Sequence, residues 1–377
     1  MEKNRFFPEM NGNFGFGCMR LPMKGDEVDY EEFNRMIDAF ISAGFNYFDT
    51  AHGYISGKSE IAIGECLAKR YDRSAYLLTN KLSDGFFKTQ ADIRPLFELQ
   101  LEKCGVDYFD FYLMHAQDHN NYPRYNERKA YETALAFKEE GLIRHLGISF
   151  HDKAVLLDRI LTDHPEIEVV QIQFNYLDYE DSSVEARKVY EVCEKHKKPV
   201  IVMEPVKGGS LVNLPAEADS VLRNAGKGSN ASYAMRFAAS FPQMAMVISG
   251  MSNLPQMLDN IATMQDFRPL EEKELQAINR VRGVFSELNL VPCTACKYCI
   301  EQNQCPAGIL IPDLFAALNS FESFHNWNTK YYYSTVLTGS AHGKASDCLQ
   351  CGMCEGVCPQ HLEIRSLLEK VAGVFEQ

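Results

Sequence analysis

Short apolar runs alternate with amphipathic segments through the first two thirds of the chain. Eight runs have the length and character of buried strands: residues 14–19, 46–51, 75–82, 108–115, 144–149, 168–175, 200–204 and 244–250. Between them, apolar residues recur at helical spacing, as at Phe33, Ile37 and Phe40. Asp29 and Glu32 have the spacing of a capping box, and Gly44 suits the end of that helix. This α/β alternation predicts a (β/α)8 barrel of the TIM type, with a doubly wound open sheet as the alternative.

The remaining third of the chain has a different pattern. Residues 267–290 read as one amphipathic helix, with Leu275, Ile278 and Val281 on its apolar side. A cysteine-rich segment follows. We therefore expect a barrel domain over 1–266, a helical linker over 267–290 and a mainly helical C-terminal domain over 291–377.

Charge narrows the range of partners. The chain has 38 Lys and Arg against 51 Asp and Glu, a formal net charge of −13. Nucleic acids and anionic membranes bind cationic surfaces, so this charge argues against both. The N-terminal residues lack a signal-peptide pattern, and no run of about eighteen apolar residues occurs. We therefore expect a cytoplasmic protein.

Four chemically active side chains lie at predicted strand ends. Asp49 and Tyr54 belong to FDTAHGY, Lys81 to TNKL and His115 to YLMH. Strand ends of a barrel share one face, so we expect these side chains to converge there. A phenol can protonate a developing alkoxide, and we expect the Lys81 ammonium to lower the pKa of Tyr54. Asp49 would hold Lys81 in place, while His115 could orient a carbonyl oxygen or join the proton transfer.

These motifs, with GKSEIAIGECL after the first, resemble the aldo-keto reductase family over about residues 14–266. The resemblance implies an NAD(P)-dependent oxidoreductase that interconverts a carbonyl and an alcohol, with Tyr54 as general acid and base. It also implies an extended nicotinamide dinucleotide across the barrel mouth. No GxGxxG turn indicates a Rossmann site. The expected partner is therefore a small-molecule carbonyl or alcohol.

The resemblance implies cofactor contacts at further positions. Ser149 and Gln171 match the residues that bind the carboxamide, and Met203 stands where the family commonly stacks an aromatic ring. Backbone amides of the turn in EPVKGGSL could approach the pyrophosphate. The full expected set is Ser149, Gln171, Met203, Gly208, Gly209, Ser252, Asn253, Asp259 and Asn260, the last two contacting adenine.

The nucleotide itself is less clearly indicated. NADPH-preferring relatives usually place a cation near the 2′-phosphate, but Gly250 and Gln256 stand at positions often held by Lys and Arg. Ser252, Asn253 and the N-terminus of a helix beginning near Leu254 could still bind a phosphate. The resemblance favours NADP(H), with NAD(H) as the alternative.

Eight of the twelve cysteines lie between 293 and 358, in CTACKYCIEQNQCP and CLQCGMCEGVCP. Clustered thiols in a reducing compartment indicate metal ligation. The second run has the C-x2-C-x2-C-x3-C-P spacing of bacterial ferredoxins, while the first has five residues before its last cysteine. Zinc is the alternative, but zinc sites usually pair two C-x2-C units.

The resemblance to a two-cluster ferredoxin module covers about residues 293–365 and implies two 4Fe-4S clusters with crossed ligands. The expected ligands of one cluster are Cys293, Cys296, Cys299 and Cys358. Those of the other are Cys305, Cys348, Cys351 and Cys354.

Three functions are compatible with a barrel followed by an iron–sulfur domain. In the first, the barrel catalyses carbonyl reduction or alcohol oxidation, and the clusters serve stability, assembly, oxygen sensing or a partner contact. In the second, the clusters relay electrons between an external redox protein and the barrel. In the third, the barrel binds a ligand without catalysis. The four filled positions favour the first function.

Overall fold

The computed structural model of the protein describes residues 4–181, 184–288, 290–302, 305–324, 328–338 and 342–376. Its strands are β1 Phe14–Gly17, β2 Met23–Lys24, β3 Glu27–Val28, β4 Tyr47–Asp49, β5 Leu77–Leu82, β6 Phe109–Gln117, β7 Ile143–Phe150, β8 Val169–Gln173, β9 Val200–Met203 and β10 Met244–Gly250. Each of the eight predicted strands is present, with ends that differ by a few residues.

The helices occupy the intervals between these strands and most of the C-terminal part. They are α1 Tyr30–Ser42, α2 Lys58–Ile63, α3 Ile93–Cys104, α4 Tyr122–Glu127, α5 Ala130–Glu139, α6 Ala154–Asp163, α7 Ala186–Lys195, α8 Ala216–Ala225, α9 Asn230–Ala239, α10 Leu254–Gln265, α11 Glu272–Leu288, α12 Tyr298–Glu301, α13 Ile311–Phe324, α14 Asn328–Tyr332 and α15 Ile364–Phe375. Within the described ranges, no helix combines the length and apolarity needed to cross a bilayer.

Eight parallel strands close into a barrel in the order β1-β10-β9-β8-β7-β6-β5-β4. Closure is direct, because β1 pairs with both β10 and β4. The predicted barrel is confirmed and the open-sheet alternative is wrong. The short antiparallel pair β2–β3 was not predicted, since two residues per strand produce no visible alternation.

The N-terminal half of the barrel is filled by apolar side chains near the starts of its strands. Tyr47, Phe111 and Val169 pack there with Phe7 from the segment before β1. Such a packed layer serves stability, because barrel chemistry occurs at the opposite, C-terminal face. Side chains at the C-terminal strand ends are therefore the ones that can form a site.

Helix α1 begins and ends as predicted, but only half of its predicted capping box is formed. Asp29 accepts a hydrogen bond from the Glu32 backbone amide, as a helix N-cap does, and Gly44 follows the helix at φ +94°. The Glu32 carboxylate, however, accepts from the backbone amide of Leu254 at 2.7 Å instead of returning to Asp29. The predicted capping box is therefore incomplete, because a distant partner binds its second half.

The contacts divide the chain into two compact units. The first contains residues 1–205 and 231–270, and the second contains 206–230 and 271–377. The barrel boundary at 266 and the linker boundary at 290 remain predictions.

The second unit has its own core. Apolar residues of α13 and α15, including Leu314, Leu318, Leu368 and Val371, pack together and bring several cysteines against them. Helix α8 packs against α11 within this unit.

Candidate active site and cysteine-rich region

The four predicted catalytic side chains lie together at the C-terminal end of the barrel. Asp49 ends β4, Lys81 and His115 lie near the ends of β5 and β6, and Tyr54 begins a 3-10 turn over Tyr54–Gly57. The ring of His115 is edge-on to that of Tyr54, with 5.9 Å between centroids. Parallel strands explain this convergence, because their ends share one face.

The ammonium of Lys81 organises the group. Its Nζ donates to Asp49 Oδ1 at 2.6 Å, to the Thr50 carbonyl oxygen at 2.9 Å and to Tyr54 Oη at 3.2 Å. The Lys81 side chain is fully buried, and these three acceptors match its three donors. A buried charge with its hydrogen bonds satisfied and a carboxylate partner can be retained in a protein interior.

Burial dominates the protonation of the site. It raises the pKa of Tyr54 well above its usual value, with further increases from Asp49 and Glu204 and an opposing effect of Arg20. The pKa of Tyr54 is therefore raised overall, and the lowering expected from the Lys81 cation stays a prediction. Burial also lowers the pKa of Lys81, although the charge and hydrogen bond of Asp49 oppose that change. The result is a phenol that stays protonated at neutral pH.

His115 is held in its neutral form. Burial lowers its pKa well below 6.5, and the charges of Lys81 and His151 act in the same direction. Its Nδ1 lies 2.6 Å from the Ser83 hydroxyl, a partner that the strand-end motifs did not indicate. A neutral imidazole can act as a hydrogen-bond donor without adding charge to the site.

Two expected carboxamide contacts lie next to this group. Ser149 and Gln171 are directly paired between β7 and β8. The Gln171 amide donates to Asp49 Oδ2 at 3.0 Å, and the Ser149 hydroxyl oxygen accepts from the Ala116 amide at 2.7 Å. These bonds do not use the Gln171 carbonyl oxygen or the Ser149 hydroxyl proton, which a carboxamide could engage. Met203 ends β9, pairs with Gln173 of β8 and is partly buried.

The residues after β10 are engaged in local hydrogen bonds. Asn253 caps α10 by accepting from the Gln256 amide, and Ser252 donates to the Arg20 carbonyl oxygen at 2.9 Å. The Glu32 carboxylate accepts from the Leu254 amide at the same helix start. The negative side chain of Glu32 therefore lies where the sequence predicted a phosphate site. Glu32 and Leu254 are more than 200 residues apart in the chain, so no local pattern indicated this contact.

The adenine positions differ from one another. Asn260 is buried and donates to the Ser249 hydroxyl at 3.0 Å, which ties α10 to β10. Asp259 is half-buried on the same helix. The Asn260 amide therefore has a structural partner within the barrel.

The Gly208–Gly209 turn belongs to the second compact unit. Both residues have positive φ, +63° and +101°. A Cβ on Gly208 would lie 2.3 Å from the Thr294 carbonyl oxygen, while one on Gly209 would meet nothing within 4 Å. The close backbone approach that requires glycine at 208 is thus made by Thr294, beside the first cysteine of the tail.

The tail cysteines come together around a cavity and around Cys299. A cavity is lined by Cys305, Cys348, Cys351 and Cys354, with Ile309 and Leu368 among its apolar walls. Around Cys299, burial and then the neighbouring thiols of Cys296, Cys293, Cys358 and Cys354 raise its pKa. The cavity contains all four cysteines expected for one cluster, and Cys299 has the three other cysteines expected for the second cluster nearby. Cys354 is near both groups, so the division of the eight cysteines into two ligand sets stays a prediction.

The donor chemistry of the tail is uniform. All eight of its cysteines are free thiols, and thiolates are the ligands that iron–sulfur clusters use, four for each 4Fe-4S cluster. Eight thiols therefore suffice for two such clusters.

Comparison with known proteins defines the class. The aldo/keto reductase family model matches residues 13–282, and the 4Fe-4S dicluster domain model matches residues 292–362. The chain belongs to the aldo/keto reductase family and carries a 4Fe-4S dicluster domain at its C-terminal end. It is therefore an oxidoreductase of the aldo/keto reductase type.

Individual relatives are distant. The chain is 25% identical over 295 residues to the Bacillus subtilis uncharacterized oxidoreductase YqkF, covering 70% of this chain and 90% of the relative. It is 27% identical over 197 residues to the Escherichia coli NADH-specific methylglyoxal reductase, covering 46% and 57% respectively. An aldo-keto reductase from Klebsiella pneumoniae, solved in complex with NADPH, has a TM-score of 0.58 at 19% identity, covering 72% of this chain and 90% of that one.

Proposed function

We propose that the chain interconverts a carbonyl and an alcohol on a small molecule, with NADP(H) as its nucleotide and Tyr54 as general acid and base. The bound nicotinamide would supply hydride to the carbonyl carbon, or accept it in the reverse direction. The observation that carries the proposal is the buried hydrogen-bonded series from Asp49 through Lys81 to Tyr54.

Each side chain has a defined part in this chemistry. In reduction, the Tyr54 hydroxyl gives its proton to the oxygen on which charge develops. The Lys81 ammonium, 3.2 Å from Tyr54 Oη, stabilises the phenolate that remains, and Asp49 keeps Lys81 charged against the effect of burial. Neutral His115 would donate a hydrogen bond to the carbonyl oxygen and orient it. In oxidation, the phenolate takes the proton of the alcohol.

The proposal is tested with Tyr54→Phe. A panel of small aldehydes and ketones is assayed first, and it includes methylglyoxal because one relative is named for that activity. The variant loses the proton but keeps the ring, so we expect kcat to fall by roughly 10²–10⁴-fold. Nucleotide affinity serves as the control and stays unchanged. Turnover within threefold of wild type would show that Tyr54 is not the proton donor.

The choice of nucleotide has a specific alternative. A solved relative is named for its NADPH complex, which supports NADP(H). NAD(H) is favoured instead by the Glu32 carboxylate at the start of α10, because a carboxylate there would repel a 2′-phosphate.

Titration of the full chain with each nucleotide separates the alternatives. If NADH binds more tightly than NADPH, Glu32→Gln should improve NADPH affinity and leave NADH affinity nearly unchanged. Glu31→Gln is the matched control, since its side chain is 84% exposed. If NADPH already binds more tightly and Glu32→Gln changes neither affinity, the NAD(H) alternative is wrong.

We also propose two 4Fe-4S clusters, held by the two cysteine sets described above, in a protein of the reducing cytoplasm. Such clusters exchange one electron at a time and can also stabilise the fold that binds them. Anaerobically purified chain is expected to contain about eight irons. Cys305→Ser and Cys358→Ser should each remove about half of the iron, while Cys193→Ser, a buried thiol outside the tail, should remove none. Equal iron in all three variants would contradict the ligand sets.

Electron relay is a second candidate function, because one edge of the second cysteine set reaches the surface. Cys351 is exposed, and its neighbours Leu349 and Met353 are 67% and 43% exposed. An exposed apolar edge at a redox site suits contact with a redox protein. The test mixes loaded protein with NADPH anaerobically and follows the cluster absorbance. Bleaching as fast as carbonyl turnover supports relay, and no bleaching over many turnovers supports the first function.

A further inference from the structure

Ser83 is the residue immediately after β5, two positions beyond Lys81. Its hydroxyl oxygen lies 2.6 Å from Nδ1 of His115, and the two residues are only 8% and 7% exposed. A short hydrogen bond sheltered from water in this way holds a ring in place. The same bond can also determine which ring nitrogen of His115 carries the proton.

The backbones that carry this pair are themselves fixed. The buried Tyr125 hydroxyl contacts the carbonyl oxygens of Leu82, at 2.6 Å, and His115, at 3.1 Å. On the other side of His115, the amide of Ala116 donates to the Ser149 hydroxyl, and Ala116 has φ +52°. The Tyr125 hydroxyl therefore bridges the strand end before Ser83 and the one at His115.

A neutral imidazole has one N–H, and the bond made at one nitrogen determines which nitrogen carries it. The low pKa of His115 keeps the ring neutral. A serine hydroxyl can donate to Nδ1 or accept from it. Only donation leaves the ring proton on Nε2, and only that tautomer can donate from Nε2 to a carbonyl oxygen.

We propose that Ser83 is a positioning residue whose hydroxyl donates to Nδ1 of His115 and so keeps the ring proton on Nε2. The inference rests on the proposed role of His115 in orienting the carbonyl oxygen. Ser83 itself would touch neither substrate nor nucleotide.

The direct test measures the tautomer. The full chain, with its iron–sulfur domain loaded and oxidised, is labelled with 15N-histidine and studied by NMR. The ring nitrogen signals of His115 are assigned by their loss in His115→Asn. At pH 7 we expect Nδ1 to be unprotonated and Nε2 protonated in wild type. Ser83→Ala should give a mixture of tautomers. Thr79→Val is the matched control, because it removes another buried hydroxyl bond of β5, to Tyr47, and should leave the His115 signals unchanged. A protonated Nδ1 in wild type overturns the proposal.

Kinetics provide a second readout. With the best carbonyl of the panel, Ser83→Ala should lower kcat/KM about tenfold, as loss of a bond that orients a functional histidine commonly does. Ser83→Thr keeps the hydroxyl and should restore most of the rate, and nucleotide affinity should not change. An unchanged rate in Ser83→Ala overturns the proposal while leaving the Tyr54→Phe result intact. Conversely, failure of the Tyr54→Phe test would leave the tautomer measurement valid.

Discussion

Replacing Lys81 with methionine removes the cation from an ion pair that has almost no contact with water. Lys81 Nζ lies 2.6 Å from Asp49 Oδ1, and the two side chains are 0% and 6% exposed. Methionine has a similar length but leaves the Asp49 carboxylate buried without its counter-ion. Breaking a buried pair in this way costs about 3–5 kcal/mol. A domain of this size loses roughly 2–4 °C per kcal/mol, so the barrel should melt about 6–20 °C lower.

The assay is thermal unfolding followed by far-ultraviolet circular dichroism. Lys69→Met is the matched control, because Lys69 pairs with Glu65 where the side chains are 66% and 44% exposed. Exposed pairs contribute little, so we expect a change of no more than about 2 °C. Adding Asp49→Asn to Lys81→Met should recover part of the loss, since it removes the unpaired charge. If Lys81→Met melts no lower than Lys69→Met, the pair does not carry the stability assigned to it.

Two further predictions concern stability. Burial lowers the pKa of His145, but hydrogen bonds and charges of Glu168 and Glu9 outweigh it and raise the pKa overall. The resulting stabilisation is complete below about pH 6.5 and is lost as pH rises through the raised value. His145→Gln should therefore lower the free energy of unfolding by about 2 kcal/mol at pH 6 and by little at pH 9. Melting curves of variant and wild type at both pH values test this; a difference in melting temperature that stays the same would contradict the pairing. Gly208→Ala should destabilise the loaded chain by about 1–3 kcal/mol more than Gly209→Ala, because only Gly208 abuts backbone, and equal melting temperatures would refute this.

Most of the barrel could be predicted because each buried strand is a short apolar run between helical patterns. The count of eight strand–helix units favoured closure into a barrel, but it left the open sheet as an alternative. The β2–β3 pair could not be predicted, since two-residue strands have no periodicity. The capping box at Asp29 was half right, because Glu32 binds Leu254 across 222 positions. Local spacing cannot report a partner so far along the chain.

The sequence could likewise predict only part of the candidate site. Asp49, Tyr54, Lys81 and His115 could be predicted as neighbours because parallel strand ends share a face. The pKa of Tyr54 could not, because it depends on how closely protein atoms surround the hydroxyl. Ser83 was missed because a serine after a strand has many ordinary roles. Its role can be inferred only from the structure, in which its Oγ lies 2.6 Å from Nδ1 of His115.

The assignment of residues 206–230 to the same compact unit as the cysteine tail affects how the protein can be dissected. Helix α8 buries Ala218, Leu222 and Ala225, and α11 is the helix it packs against. A chain cut after residue 270 would remove α11 and expose that apolar face, as well as the surface of Gly208 that Thr294 covers. A fragment meant to test the barrel alone should therefore retain α11, so that the apolar face of α8 stays covered. Loss of activity in a fragment that lacks α11 would be no evidence that the clusters participate in catalysis.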